Sequence, residues 1–271
     1  MCNKSVREIS FAALIKRSSQ SLKGHYWKGL LLFCIAGAVN LAVNFIPIVQ
    51  LLSGWLLFPL NVGMMLFYLR ASRNEAAPVS SLFEPFRQYW RMLWGCLRVG
   101  IFVFLWALPG IALIGLFGYY VSQHNQHPAV WITLLFSALL IILLFLPISA
   151  TYRYSMTYYI MLDAPAMSVR NAMQKSIELI YGYKLRLFGY TLLWGVLIIS
   201  ITLLLNLVAA LTLFWLGILL SALLIIAILP LLCAFGANFY LALLPEEPAE
   251  DAAAPATAVE ADSGNPDDPE K

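Results

Sequence analysis

Six apolar runs, each close to the length of a membrane span, leave this chain one class of fold. They cover residues 29–46, 51–69, 97–119, 130–150, 187–207 and 211–232, the last extending toward 244. A helix of about 20 apolar residues crosses the hydrocarbon layer of a bilayer. Backbone in hydrocarbon must satisfy its own N–H and C=O groups, so such runs fold as helices. Composition agrees, because 61% of the 271 residues are apolar and only 11% are charged. A soluble domain carries about 25% charged residues. The expected fold is all-α: a polytopic membrane protein with six transmembrane helices.

The basic residues set its orientation. Lys4, Arg7, Lys16, Arg17, Lys23 and Lys28 precede the first run. Arg70, Arg73, Arg87, Arg91 and Arg98 lie between runs two and three, and Arg153, Arg170, Lys175, Lys184 and Arg186 between runs four and five. The connections near Gln50, His124 and Ala210 carry no Lys or Arg. Sixteen of 17 basic residues thus share one side, which the positive-inside rule makes cytoplasmic. The chain is expected in the bacterial inner (plasma) membrane, multi-pass, with both termini cytoplasmic. Residues 1–28 hold six basic residues and no long apolar run. They do not read as a cleavable signal, so the first span is expected to stay as an anchor.

Three regions follow: a cytoplasmic amphipathic segment at 1–28, a six-span domain at 29–244, and an acidic tail at 245–271. The tail carries nine acidic residues and one Lys. It cannot bury enough apolar surface to fold and is expected to be disordered. The tail has charge −8 and the rest of the chain +11, so the tail is expected to compete for the basic face.

Three cytoplasmic segments read as amphipathic helices. One is about 5–23. In the second, Phe83, Phe86, Trp90, Leu93 and Leu97 recur at helical spacing. In the third, Val169, Met173, Ile177 and Ile180 form one face, with Asp163 and Ser168 as alternative N-caps and Gly182 as a C-terminal stop. Such helices either lie in the headgroup layer or pack on the ends of the spans. Self-similarity points to a tandem helical-hairpin repeat. An offset of 158 aligns Ser10, Ser18, Leu22, Gly24 and Lys28 with Ser168, Ser176, Ile180, Gly182 and Arg186. An offset of 63 aligns Tyr26, Trp27 and Lys28 with Tyr89, Trp90 and Arg91. Each even span also carries a proline: Pro59, Pro147 and Pro230.

Several of these residues carry a family resemblance. They are Pro59, Gly63 and Tyr68, the stretch from Pro78 to Phe86, and Tyr152, Tyr154, Ser155, Met156 and Tyr159. The clearest are Asp163, Pro165, Ser168, Ala172, Ser176, Glu178, Gly182 and Lys184. In these the chain resembles a bacterial integral membrane family labelled domain of unknown function nine hundred seventy-five, over about residues 10 to 243. The resemblance implies six spans and no assigned activity. The loop around His124 is longer than that family's pattern, and the acidic tail is extra.

The chemistry is sparse. No Asp or Glu lies between Glu84 and Asp163, or between Glu178 and Glu246. Membrane hydrolases place carboxylates or His at the headgroup level. No H-E-x-x-H, G-x-S-x-G or Walker loop is present. His124 and His127 alone make a poor metal site. Cys34 and Cys233 fall in apolar runs and read as small core residues. No catalytic group, metal or cofactor is expected, and no nucleic-acid partner. The expected partners are membrane lipids, especially anionic ones, and proteins. Arg87, Arg91, Arg153, Lys175, Lys184 and Arg186 are the candidate lipid contacts, Arg153 lying among Tyr152, Tyr154, Tyr158 and Tyr159. Asn40, Asn44, Asn61, Asn206 and Asn238 should turn from lipid into the bundle interior. There they either join helices by hydrogen bonds or line a transport path. The leading function is a non-enzymatic membrane component engaging anionic lipid and protein partners; the alternative is a transporter or channel for a small solute or lipid.

Overall fold

A computed structural model describes residues 10–45, 54, 55, 57–124, 129–210 and 214–244. Cys2, Pro47, His127 and the acidic tail lie outside the described residues. The described residues form helices α1 (Phe11–Ser21), α2 (Tyr26–Asn44) and α3 (Phe58–Ser72). Then come α4 (Tyr89–His124), α5 (Val130–Tyr154), α6 (Thr157–Asp163), α7 (Val169–Ile180), α8 (Lys184–Ala210) and α9 (Phe214–Leu243). Helices α2, α4, α5, α8 and α9 are each long and apolar enough to cross a membrane. The expected second span is seen as α3, whose 15 residues fall short of a crossing. Residues 51–53 and 56 of that run lie outside the described residues. Among the described residues the span count is therefore five.

Packing is concentrated at the end of the bundle that carries the basic residues. Buried apolar residues of α4 stop at Val99, those of α5 are Ala150 and Tyr154, and α8 contributes only Trp194. Beyond these, Ile101, Phe104, Leu116, Ile141 and Leu203 are exposed. Lipid tails are as apolar as leucine, so such surfaces are at home in a bilayer. The densest core lies where α9 meets α1, α2, α3 and α8, around Phe67, Tyr68, Phe235, Phe239 and Tyr240.

Two of the three expected amphipathic helices form, and both pack on the ends of the spans. Helix α1 buries Leu14 and Ser18. Helix α7 buries Val169, Ala172, Met173, Ser176, Leu179 and Ile180. Ser168 is the N-cap of α7, its Oγ accepting from the Asn171 N–H at 3.3 Å. Tyr181 closes the helix and Gly182 follows at φ +85°, a conformation only glycine adopts without strain. The other expected cap, Asp163, instead ends α6.

The second amphipathic segment departs from expectation. Two 3-10 turns, Val79–Leu82 and Glu84–Gln88, run directly into α4. Pro78 and Pro85 flank or open those turns. Each lacks an N–H, which disfavours a continuous α-helix across them. The buried side chains are Ser81, Leu82 and Pro85, whereas Phe83, Phe86 and Trp90 of the expected apolar face are exposed.

The register of the helices follows the two sequence offsets. Helices α1 and α7 start at Phe11 and Val169, and α2, α4 and α8 at Tyr26, Tyr89 and Lys184. Ser18, Ser81 and Ser176, related by the same offsets, are all fully buried. Gly24 and Gly182 both have positive φ, +83° and +85°.

Candidate functional site

At the basic end, three polar clusters join segments far apart in sequence. In the first, the Arg73 guanidinium donates to both oxygens of Asp163, at 2.9 and 2.7 Å. The Tyr240 hydroxyl donates to Asp163 Oδ2 at 2.7 Å. Arg73 follows α3, Asp163 ends α6 and Tyr240 lies in α9, so one carboxylate clasps three parts of the bundle. Tyr159 stacks on Tyr240, with centroids 5.1 Å apart. Hydrogen bonding to Asp163 raises the Arg73 guanidinium above its ordinary pKa, so it stays charged. A second bidentate pair joins Arg70 to Glu84, at 2.6 and 2.7 Å, tying α3 to the second 3-10 turn.

Asp163→Asn should lower stability by about 2 kcal/mol, because charge-assisted hydrogen bonds contribute about 1.5–3 kcal/mol each. The Arg73 and Asp163 side chains are 32% and 20% exposed, so water replaces part of the loss. Thermal unfolding in detergent should show the drop, and the double variant with Arg73→Gln should recover part of it. A single variant that melts with the wild type would remove the clasp.

Arg91 forms the second cluster, and it corrects an expectation. Its guanidinium donates to the carbonyl oxygens of Met161, Ala164 and Met167 at 3.1, 3.0 and 2.9 Å. A fourth bond goes to Gln88 Oε1 at 2.9 Å. These carbonyls lie around the end of α6, where no continuing helix supplies donors. Arg91 is therefore bound to protein rather than turned to lipid.

The other candidate lipid contacts differ in setting. Arg87, Lys175 and Arg186 are exposed, and Lys184 is half-buried. Arg186 lies over the Tyr183 ring at 5.8 Å. Arg153 is half-buried, and its Nε is buried without a partner. The Arg153 backbone oxygen accepts from Ser176 Oγ at 2.9 Å, which seats α7 on the end of α5. Of the four tyrosines around Arg153, Tyr154 and Tyr159 are buried in the core.

The five asparagines do not converge. Asn206 Nδ2 donates to Ser221 Oγ at 3.0 Å and joins α8 to α9. Asn238, 7% exposed, belongs to the third cluster. Its Nδ2 lies 3.0 Å from Ser72 Oγ, 3.3 Å from Ser21 Oγ and 3.4 Å from Ser18 Oγ, linking α9 to α3 and α1. Asn40, Asn44 and Asn61 are exposed on α2 and α3, against the expectation that they turn inward. Asn40 and Asn44 each donate to the carbonyl four residues earlier, at 3.3 and 2.8 Å. That bond satisfies part of an amide's hydrogen-bonding capacity on its own helix, so no facing helix is required. Cys34 is also exposed rather than in the core.

Sequence reasoning missed Arg70, Arg73 and Tyr240 as cluster members. The signal available was scarcity: five carboxylates stand outside the tail, and one set among many cations is a natural hub. Among the described residues, no three His, Cys, Asp or Glu side chains gather as a metal site. Compared with known proteins, the chain matches no protein-family model, no curated protein and no solved structure.

Proposed function

We propose that this chain is a non-enzymatic component of the bacterial inner membrane, of the family it resembles in sequence, that engages anionic lipid and protein partners at its cytoplasmic face. One observation carries the reading. Arg70 and Arg73, at the end of α3, are paired with carboxylates. Lys16, Arg17, Lys23, Lys28, Arg87, Arg170, Lys175 and Arg186 are exposed, with no carboxylate within ion-pair distance among the described residues. Unpaired cations beside a membrane are attracted to anionic headgroups, about 1 kcal/mol for each. Phe83, Phe86 and Trp90, exposed beside Arg87, suit the headgroup layer, where aromatic rings collect.

The test is lipid retention by the purified full chain at low salt. Phosphatidylglycerol should be retained over phosphatidylcholine, and salt should weaken the preference. The triple variant Arg87→Gln, Lys175→Gln, Arg186→Gln should lower retention by about a hundredfold, from three contributions of about 1 kcal/mol. Equal retention of the two lipids would overturn the reading.

The orientation has its own test. Single cysteines at Arg73 and Asn125, in a cysteine-free background, should react differently with an impermeant thiol reagent on intact cells. Asn125→Cys should label and Arg73→Cys should not; the reverse would invert the topology. The common starts of α2, α4 and α8 and the three buried serines support a tandem hairpin repeat with six spans. The alternative, a transporter or channel for a small solute or lipid, has less support, because the asparagines that would line its path do not share one space.

A further inference from the structure

Between α1, the end of α3 and α9 lies a cleft of about 390 Å³ that the basic face does not account for. Arg17, Gln20 and Ser21 of α1, Ser72 and Asn74 at the end of α3, and Asn238 of α9 line it. Leu241 adds an apolar wall. The lining holds one cation, no carboxylate, and otherwise hydroxyl and amide groups. We propose that this cleft binds a phosphate ester that also bears hydroxyl groups, of the glycerol phosphate type.

Three observations support that class. First, Asn238 has two amide hydrogens and four acceptors within 3.4 Å: the hydroxyls of Ser18, Ser21 and Ser72 and the Ala234 carbonyl. Not all can be satisfied together, so lone pairs of Ser21 and Ser72, which line the cleft, remain to accept from a polyol. Second, Ser72 Oγ accepts from Asn238 at 3.0 Å and gives its own hydrogen to no acceptor among the described residues. That hydrogen, and the Gln20 and Asn74 amides, are donors for a phosphate or hydroxyl oxygen. Third, Arg17 is exposed and without an ion partner among the described residues. Its planar, permanently charged group suits phosphate. Asn74 is the one non-glycine described residue with positive φ, +57°, a conformation asparagine tolerates better than most.

Helix C-termini also face this cleft, and free carbonyls there would disfavour an anion. Those of α1 and α3 are largely engaged. The Leu22 N–H bonds to the Ser18 oxygen, Lys23 N–H to Gln20, Asn74 N–H to Ala71 and Glu75 N–H to Arg70. Arg17 is one of the exposed cations counted above, but Arg87, Lys175 and Arg186, whose replacement tests that reading, lie outside the cleft lining, so the two tests can fail separately.

The ligand's source is either the headgroup of an anionic phospholipid or a soluble polyol phosphate. Two probes separate them: glycerol 3-phosphate added to the full chain in neutral detergent, and phosphatidylglycerol vesicles against phosphatidylcholine ones. Arg17→Gln and Gln20→Ala alter exposed positions of α1 and should leave thermal unfolding unchanged. At least one probe should bind the wild type, and Arg17→Gln should weaken it about tenfold or more. Arg87→Gln should not weaken glycerol 3-phosphate binding. Binding of the soluble probe identifies a soluble ligand as sufficient, and binding of the vesicles alone identifies the lipid. No binding of either probe, or equal binding by wild type and Arg17→Gln, would overturn the proposal. So would equal weakening by Arg17→Gln and Arg87→Gln, which would mean diffuse attraction rather than a site.

Discussion

Gly63→Ala should destabilise the protein by about 3 kcal/mol, the upper end of the usual effect of overpacking. Gly63 of α3 lies directly against the backbone of Leu82, and a Cβ there would collide with the Leu82 carbonyl group. A side chain could turn aside, but a carbonyl held in a 3-10 turn cannot. That turn is held by Ser81, whose N–H and hydroxyl both donate to the Pro78 oxygen, at 3.1 and 2.6 Å. Helix α3 would have to part from the turn, stretching the Arg70–Glu84 pair. Thermal unfolding in detergent and monodispersity by size exclusion would both register it. Gly37→Ala is the control, since nothing lies within 4 Å of its added Cβ. Alanine is the better helix former by about 1 kcal/mol, so that variant should equal or exceed the wild type. If the two variants melt alike, the close approach of α3 to the turn is wrong.

Arg91→Met should have a comparable effect, about 3–4 kcal/mol, for a different reason. The carbonyl oxygens of Met161 and Met167 lose the Arg91 donor together, and that of Ala164 keeps only the Met167 N–H. An unsatisfied buried acceptor costs about 1–3 kcal/mol, and the part-exposed site lets water recover some of it. Arg91→Lys should fall between, because a compact ammonium cannot span three acceptors as a guanidinium does. The readout separates two roles for Arg91. As a brace it shifts unfolding and leaves the preference for anionic lipid intact. As a lipid contact it would do the opposite, and lysine would then substitute fully.

What was legible in the sequence is what depends on neighbours in the chain. The spans rest on runs of apolar residues, and five of them appear as helices at about the expected places. Ser168 and Gly182 act within a few residues of themselves, so the limits of α7 could be read directly. The offsets of 63 and 158 carried through to the helix starts at Tyr26, Tyr89 and Lys184. Asp163 shows the limit: its local setting also fits a helix cap, yet its partners lie 90 and 77 residues away. Arg91 has the pattern of a surface cation, and its acceptors are backbone oxygens that leave no mark in a sequence. Asn40 and Asn44 were expected inward because hydrocarbon penalises an unsatisfied amide. Their own helix supplies an acceptor, so the penalty does not dictate the face.

The spacing of these polar contacts has a consequence for how the protein is made. A chain emerging from a ribosome can close only those contacts whose two ends already exist. Arg70 and Glu84 are 14 residues apart, so they can meet as soon as α3 and the turn have left the exit tunnel. Arg73 must wait 90 residues for Asp163. Ser18 and Asn238 are 220 residues apart, so the seat of α1 is absent until nearly every span has been inserted. During that interval Leu14 and its neighbours on α1 have no core to enter, and the membrane surface is the nearest apolar shelter. Helix α1 should therefore keep Leu14 and Ser18 uncovered until α9 arrives to bury them. A chain halted before Asn238 should leave α1 cut faster by added protease than the full chain does.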